Sequence, residues 1–380
     1  MEPKKRVSGR VQPVYAGIQP NGVRAVAYRR SASNMVPSTV IPSRLGLSTA
    51  ELANELGIDR ASSELVAIDH AQLDRMAGHI GSQLDVARFS RARWDDPLFW
   101  NVEDSDEDRS QYFAIGCAIN FRFWALRDHQ LVPAAGFIDG EHYRGAMYMW
   151  RCLRRALDRR VLDLLDAKVL ADLTEEDFDA IFTDDNGINP LAIARTDRLA
   201  NLRDLGERLR SDWDGAFYNL VASCRGSLAT FARLSRDFRA FDDPVYKLTM
   251  VNGILHLGSG VYEFVDEPLP AIDYHLLRQA LRQGILRPSA PLAAKLTQMS
   301  ALDQDEAQEL RRVALAAFVE LAAKSAISGE LLDNRYWMNR VNCADVPVCL
   351  DPETAAACPF LGACERATQF ALPIELTRYY

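Results

Sequence analysis

Apolar residues return every three or four positions along most of this chain, a period that restricts it to helices sharing a core. Residues 191–212 are the clearest case, with Ile193, Leu199, Leu202, Leu205 and Leu209 at helical spacing. Residues 64–90, 140–158, 159–171, 174–182, 216–236, 244–258, 289–298 and 303–327 read similarly. The apolar, aromatic run "YFAIGCAINFRFWAL" (112–126) is long enough for a buried helix. "AIDYHLLRQALRQG" (271–284) carries both its ends. Asp273 suits an N-cap, because its carboxylate can accept a first-turn backbone N–H. Gly284 suits the left-handed residue after the last turn. "STAELANELGI", with Ser48 and Glu51 at capping-box spacing, marks where folding is expected to begin. Alternation of period two is scarce, so the expected fold is mainly α with at most a small hairpin.

At 380 residues the chain can bury a large core. We expect a basic N-terminal arm over residues 1–47, a helical domain over 48–340, and a cysteine-bearing loop and tail over 341–380 packed on that domain. Residues 1–44 hold eight Lys or Arg against one acid, Glu2, which fits a solvated tail. The net charge of −8 argues against a general nucleic-acid coat. No apolar run approaches the roughly 20 residues that span a bilayer. The N-terminus lacks the apolar stretch of a secretory signal, so a cytoplasmic protein with reduced cysteines is expected.

Several segments, in order, carry a resemblance. They are "INFRFW" (119–124), "RLANLRDLGERLRSDWDGAFYNLV" (198–221), "VYKLTMVNGIL" (245–255), Asp273-Tyr274 with Gly284-Ile285-Leu286, "ELR" (309–311), "DNRYW" (333–337) and the terminal "LTRYY". No one of them is specific. Their shared order over residues 64–380 resembles the queuosine salvage family, the queuosine 5′-phosphate N-glycosylases. The chain departs from that pattern in "DYHLLRQ", where the family usually continues Asp-Tyr-Arg with Pro-Gln. The resemblance implies a helical fold similar to helix-hairpin-helix base-excision glycosylases. It also implies hydrolysis of the bond between a 7-deazaguanine base and ribose 5′-phosphate, with a small nucleotide as partner and no cofactor needed.

Cleaving such a bond builds positive charge on the sugar, so a carboxylate beside the anomeric carbon can stabilise it, activate water or attack. The resemblance places Asp273 there. Lys247, one of six lysines against 38 arginines, is the candidate cation for the 5′-phosphate. Phe121, Phe123, Trp124 and Trp337 are candidate walls for a flat base. Asp333 is the candidate acceptor at the base edge, and His275 the candidate further substrate contact.

The cysteine segment is not part of that family pattern. "CADVPVCLDPETAAACPFLGAC" spaces Cys343, Cys349, Cys358 and Cys364 as C-x5-C-x8-C-x5-C, four of the chain's seven cysteines. Such clustering suits zinc or an iron–sulfur cluster. The ending "CPFLGAC" partly resembles the cluster loop of endonuclease III-type DNA glycosylases, so iron–sulfur ranks ahead of zinc, with free thiols the plainer reading. Cys117, Cys152 and Cys224 sit in apolar helical contexts and are expected in the core. Two other functions fit parts of the pattern: a DNA- or RNA-acting base-excision glycosylase, and a metal-stabilised protein that binds a base without catalysis. The first lacks a clear Gly-x-Gly hairpin before Asp273; "HLGSG" (256–260) is the nearest approach.

Overall fold

The computed structural model describes residues 47–58, 63–83, 98–100, 103–128, 130–266 and 268–380, with the side chains of 47–50 left aside. The basic arm expected over 1–47 lies outside these residues except for Leu47. The described residues fall within one compact unit, Ser43–Tyr380.

The chain runs α1 (Leu47–Glu55), β1 (Val66–Ile68), α2 (His70–Gln83), α3 (Asp106–Ala118), β2 (Trp124–Arg127), β3 (Gln130–Pro133), β4 (Ala135–Ile138) and β5 (Glu141–Arg144). It continues α4 (Ala146–Asp158), α5 (Ala167–Ala171), α6 (Glu175–Phe182), α7 (Arg195–Asp212), α8 (Phe217–Ser223), α9 (Leu228–Ser235) and α10 (Lys247–Gly258). It ends α11 (Tyr274–Gln283), β6 (Leu286–Pro288), α12 (Ala290–Thr297), α13 (Gln304–Ser325) and α14 (Gly329–Asn339). The mainly α expectation is met. No helix among the described residues is long and apolar enough to cross a membrane.

Strand content exceeds one hairpin. β2–β3 and β4–β5 are antiparallel hairpins, and β1 pairs antiparallel with β6, Val66 opposite Pro288 and Ile68 opposite Leu286. The β4–β5 turn is Asp139-Gly140, both at positive φ, the backbone a two-residue hairpin requires. Residues 64–83 are therefore strand then helix rather than one helix, and 112–126 splits between α3 and β2. Ser48 falls inside the first turn of α1 rather than at its cap.

α3 begins at a Ser105 cap followed by Asp106, Glu107 and Asp108, charges that suit a helix N-terminus. Its remainder, Ser110–Ala118, is wholly buried and packs on α10. His256 of α10 lies among Phe113, Phe217 and Phe231, with ring centroids 5.6, 6.0 and 6.3 Å away. Its Nδ1 lies 2.8 Å from the Asn252 carbonyl, which can only accept, so that nitrogen carries the proton. Nε2 then accepts from the Ser110 hydroxyl at 2.8 Å. Burial pushes His256 down to about 4, which keeps it neutral. Cys117, Cys152 and Cys224 are buried, as expected.

Candidate functional site

α11 is fixed on every side, and that fixes the carboxylate at its start. Leu276, Leu277, Ala280 and Leu281 are buried at helical spacing, and so are the polar Arg278, Gln279, Arg282 and Gln283 between them. Buried polar groups need partners. Gln279 donates to the Tyr336 carbonyl at 2.8 Å and accepts from Asn339 at 2.8 Å. Gln283 accepts from the Tyr336 hydroxyl at 2.6 Å. Arg282 donates to the Phe370 and Ala344 carbonyls at 2.7 and 2.6 Å. Gly284 closes the helix at φ 80°, and a Cβ there would collide with the Glu365 carboxylate. Asp273 is the N-cap: its Oδ1 accepts from the backbone of His275 at 2.8 Å and of Leu276 at 2.9 Å. Both bonds fall on Oδ1. The side chain is half-buried rather than turned to open solvent.

Two of the other predicted residues meet it. Lys247, the buried first residue of α10, donates from Nζ to the Asn120 carbonyl at 2.7 Å. Burial lowers its pKa, while the nearby Asp273 carboxylate favours the charged form. Asp333 of α14 accepts from the Ala271 backbone at 3.0 Å, two residues before Asp273. Burial, then the charge of Asp273, push its carboxyl well above the usual range, with the Ala271 N–H and Lys247 opposing. Asp273, Asp333 and Lys247 therefore stand within electrostatic reach of one another, brought together from three helices.

His275 adjoins them. Burial and the cations Arg278, Arg340, Arg144 and Lys247 push it well below its ordinary value, so its ring is neutral. Its Nδ1 has no hydrogen-bond partner among the described residues. Tyr274 packs its ring 4.6 Å from that of His275 and 6.5 Å, edge-on, from Trp124. Trp124 is buried, and its indole Nε1 has no partner among the described residues. Burying such groups without partners costs free energy, and a polar ligand beside them would remove that cost. Trp337 is half-buried, with the Arg340 guanidinium 3.4 Å above its ring.

Phe121 and Phe123 have a different setting. Both are buried under the guanidinium of Arg198, which lies 4.8 and 5.4 Å from their ring centres. Arg198, fully buried in α7, donates to the carbonyls of Ile119, Phe121, Arg122, Leu191 and Ile193. Desolvation lowers it to about 9. It gathers the turn between α3 and β2, whose Arg122 has φ 42°, and so sets where Asn120 meets Lys247.

A second arginine braces the opposite side. Arg311 of α13 is fully buried, donates from Nε to Glu375 at 2.7 Å, and donates from Nη1 to the carbonyl of Ile272, next to Asp273. The Tyr380 ring lies 3.3 Å from its guanidinium. The Tyr380 hydroxyl donates at 2.6 Å to Asp243, which accepts from the backbone of Val245 and Leu248 at the start of α10. The terminal residues thus tie the backbone before Asp273 to the helix that carries Lys247.

Sequence reasoning missed Arg198, Arg311, Arg340 and Arg144. A signal existed for the first two. Arg198 shares the helix face of Leu202, Leu205 and Leu209, and Arg311 that of Ala307, Leu315 and Phe318. A charge on an apolar stripe needs a reason.

The four C-terminal thiols are half-buried and unpaired. They line one cavity together with Arg282 and Phe360. Burial pushes Cys364 up to about 11, and Cys358, Cys343 and Cys349 add to the shift. Among the described residues no three His, Cys, Asp or Glu side chains are placed to hold a single metal ion.

Residues 100–252 match the family model for the queuosine salvage protein. That segment contains Phe121, Phe123, Trp124 and Lys247; Asp273, Asp333 and the cysteine loop lie beyond it. No curated protein matches the chain.

Proposed function

From the match of residues 100–252, which supports the queuosine salvage family and a role in queuosine salvage, we propose that this protein is an N-glycosidase. It hydrolyses the base–ribose bond of a 7-deazaguanine nucleotide, queuosine 5′-phosphate, to release the free base. The observation that carries the proposal is the meeting of Asp273, Asp333 and Lys247 at the start of α11. Two polar atoms without a partner among the described residues, His275 Nδ1 and Trp124 Nε1, lie on the rings flanking Tyr274.

As the bond to the base lengthens, C1′ of the ribose gains positive charge. Asp273, anchored through Oδ1, presents its carboxylate to that carbon, stabilising the charge and directing water. Asp333 has the opposite character. Burial and the charge of Asp273 push its carboxyl well above the usual range and so favour the protonated form, which can donate a hydrogen bond to the departing base while its other oxygen keeps the Ala271 N–H. Lys247 supplies a desolvated cation for the 5′-phosphate, and Arg340 and Arg144 add positive field around His275. Trp124 and Trp337 offer the aromatic surface for the base.

The test is incubation with queuosine 5′-phosphate, the dephosphorylated nucleoside and damaged duplex, followed by chromatography of the free base. Release from the nucleotide is expected. Release from duplex alone assigns the fold to base excision, and tight binding without release assigns it to a carrier; either overturns the proposal.

A further inference from the structure

The loop after α14 poses a physical problem independent of the glycosidase reading. Over residues 341–366 only Pro347 and Phe360 are buried, and the regular structure is two short 3-10 turns, Val348–Leu350 and Ala355–Ala357. A segment with so little apolar burial has little to hold it in one conformation. Yet it forms a wall of the candidate site's scaffold. Asp345 pairs with buried Arg278 at 2.7 Å, and the Ala344 carbonyl accepts from Arg282 at 2.6 Å. The Cys343 amide donates to Asn339 at 2.9 Å, and the Ala367 amide to Arg282 at 2.9 Å. These bonds reach α11, which Asp273 caps, and α14, which carries Asp333.

We propose that Cys343, Cys349, Cys358 and Cys364 hold an iron–sulfur cluster that staples this loop to α11 and α14. All four thiols line the same cavity, none is in a disulfide, and they come from 22 consecutive residues. A zinc ion would need the sulfurs to converge on one point at about 2.3 Å each. The thiols line one shared cavity, and no three of them meet around a single ion among the described residues. A polynuclear cluster makes no such demand, because its thiolates bind different irons and its own sulfides fill the space between. The surroundings match the charge such a group carries. The Arg366 amide donates to Cys364 Sγ at 3.3 Å, and Arg282 Nη1 points at Cys343 Sγ from 3.6 Å. N–H donors and a guanidinium aimed at ligand sulfurs stabilise thiolates on an anionic centre. Phe360, buried and packed 4.6 Å from Tyr336, closes the inner wall against water. The distance in sequence from Asp273 and the loop's contacts with the far end of α11 assign the cluster to architecture.

The experiment uses the full chain purified without oxygen from iron-replete cells. It measures iron, zinc and acid-labile sulfide per chain, visible absorption and the Mössbauer spectrum. The expected result is a brown protein with about two to four irons and an equal amount of sulfide per chain. Cys349→Ser and Cys358→Ser should each lose most of that iron, whereas Cys224→Ser, in the apolar core, should keep it. A colourless protein with one zinc per chain overturns the proposal. So does metal-free protein that stays folded by circular dichroism, or full iron and sulfide in the Cys349→Ser/Cys358→Ser double variant. The wild-type stoichiometry decides the matter even if a serine variant fails to fold, and none of these readouts depends on turnover.

Discussion

Replacing Arg311 with methionine isolates the brace beneath the candidate site. Arg311 and Glu375 form an ion pair with side chains 0% and 2% exposed, so neither has water to fall back on. Removing the cation leaves a buried carboxylate without its partner, a change that costs about 3–5 kcal/mol. Part of that comes from the Ile272 carbonyl, which loses its donor, at about 1–3 kcal/mol. Arg311→Met/Glu375→Leu removes both charges and should recover at least half of the loss, since a buried pair replaced by apolar groups is often close to neutral. The pH dependence has a definite sign. Burial raises Glu375 above its ordinary value, and Arg311 opposes that rise. Without Arg311 the carboxyl rises further, so folded protein holds a proton that unfolded chain releases, and stability falls as pH rises through the folded value. The penalty of Arg311→Met should therefore shrink as pH is lowered, and that of the double variant should not. Urea unfolding followed by circular dichroism measures all three proteins. A single-variant cost below about 1 kcal/mol, or a double variant no more stable than the single, refutes the reasoning.

Lys247→Met should raise KM for the nucleotide about 10- to 100-fold, the value of one charge-assisted hydrogen bond, and change KM for the nucleoside little; equal effects on both remove the phosphate role. His256, held at about 4 against 6.5 when unfolded, contributes stability that is complete above the unfolded value and is lost as pH falls toward 4, to about 3 kcal/mol. His256→Asn should remove that part of the acid sensitivity in a pH series of unfolding measurements. Asp333 is raised, so its contribution runs the other way: stability declines as pH rises through its folded value, and Asp333→Asn should flatten that decline.

Both ends of α11 were legible in the sequence because each depends on one residue's local chemistry, the Asp273 cap and the left-handed Gly284. Residues 112–126 were not. Their apolar run suits a helix, but the carbonyls after Ala118 are drawn to Arg198, 76 or more residues away in sequence, and the backbone turns at Arg122. No local pattern encodes that pull. The β1–β6 pairing escaped for the same reason, since Val66–Ile68 and Leu286–Pro288 are too short to show a period and meet only in the folded chain. α14 does not stand out in the sequence because Asp333, Asn334 and Arg335 interrupt its apolar spacing. Of the site, Asp273, Asp333 and Lys247 were legible as candidates through the segments that carried the family resemblance, and they lie near one another in the fold. The arginines that hold them did not stand out in a chain containing 38.

Asparagine caps a helix about as well as aspartate, so Asp273→Asn separates the structural task of this residue from the chemical one. Single-turnover release of base from queuosine 5′-phosphate, measured beside the circular dichroism of both proteins, is the most direct measurement. We predict an unchanged fold with release slowed at least about 100-fold. Release within about twofold of the wild type, a difference of well under 1 kcal/mol in barrier, would show that the carboxylate does no more than start its helix.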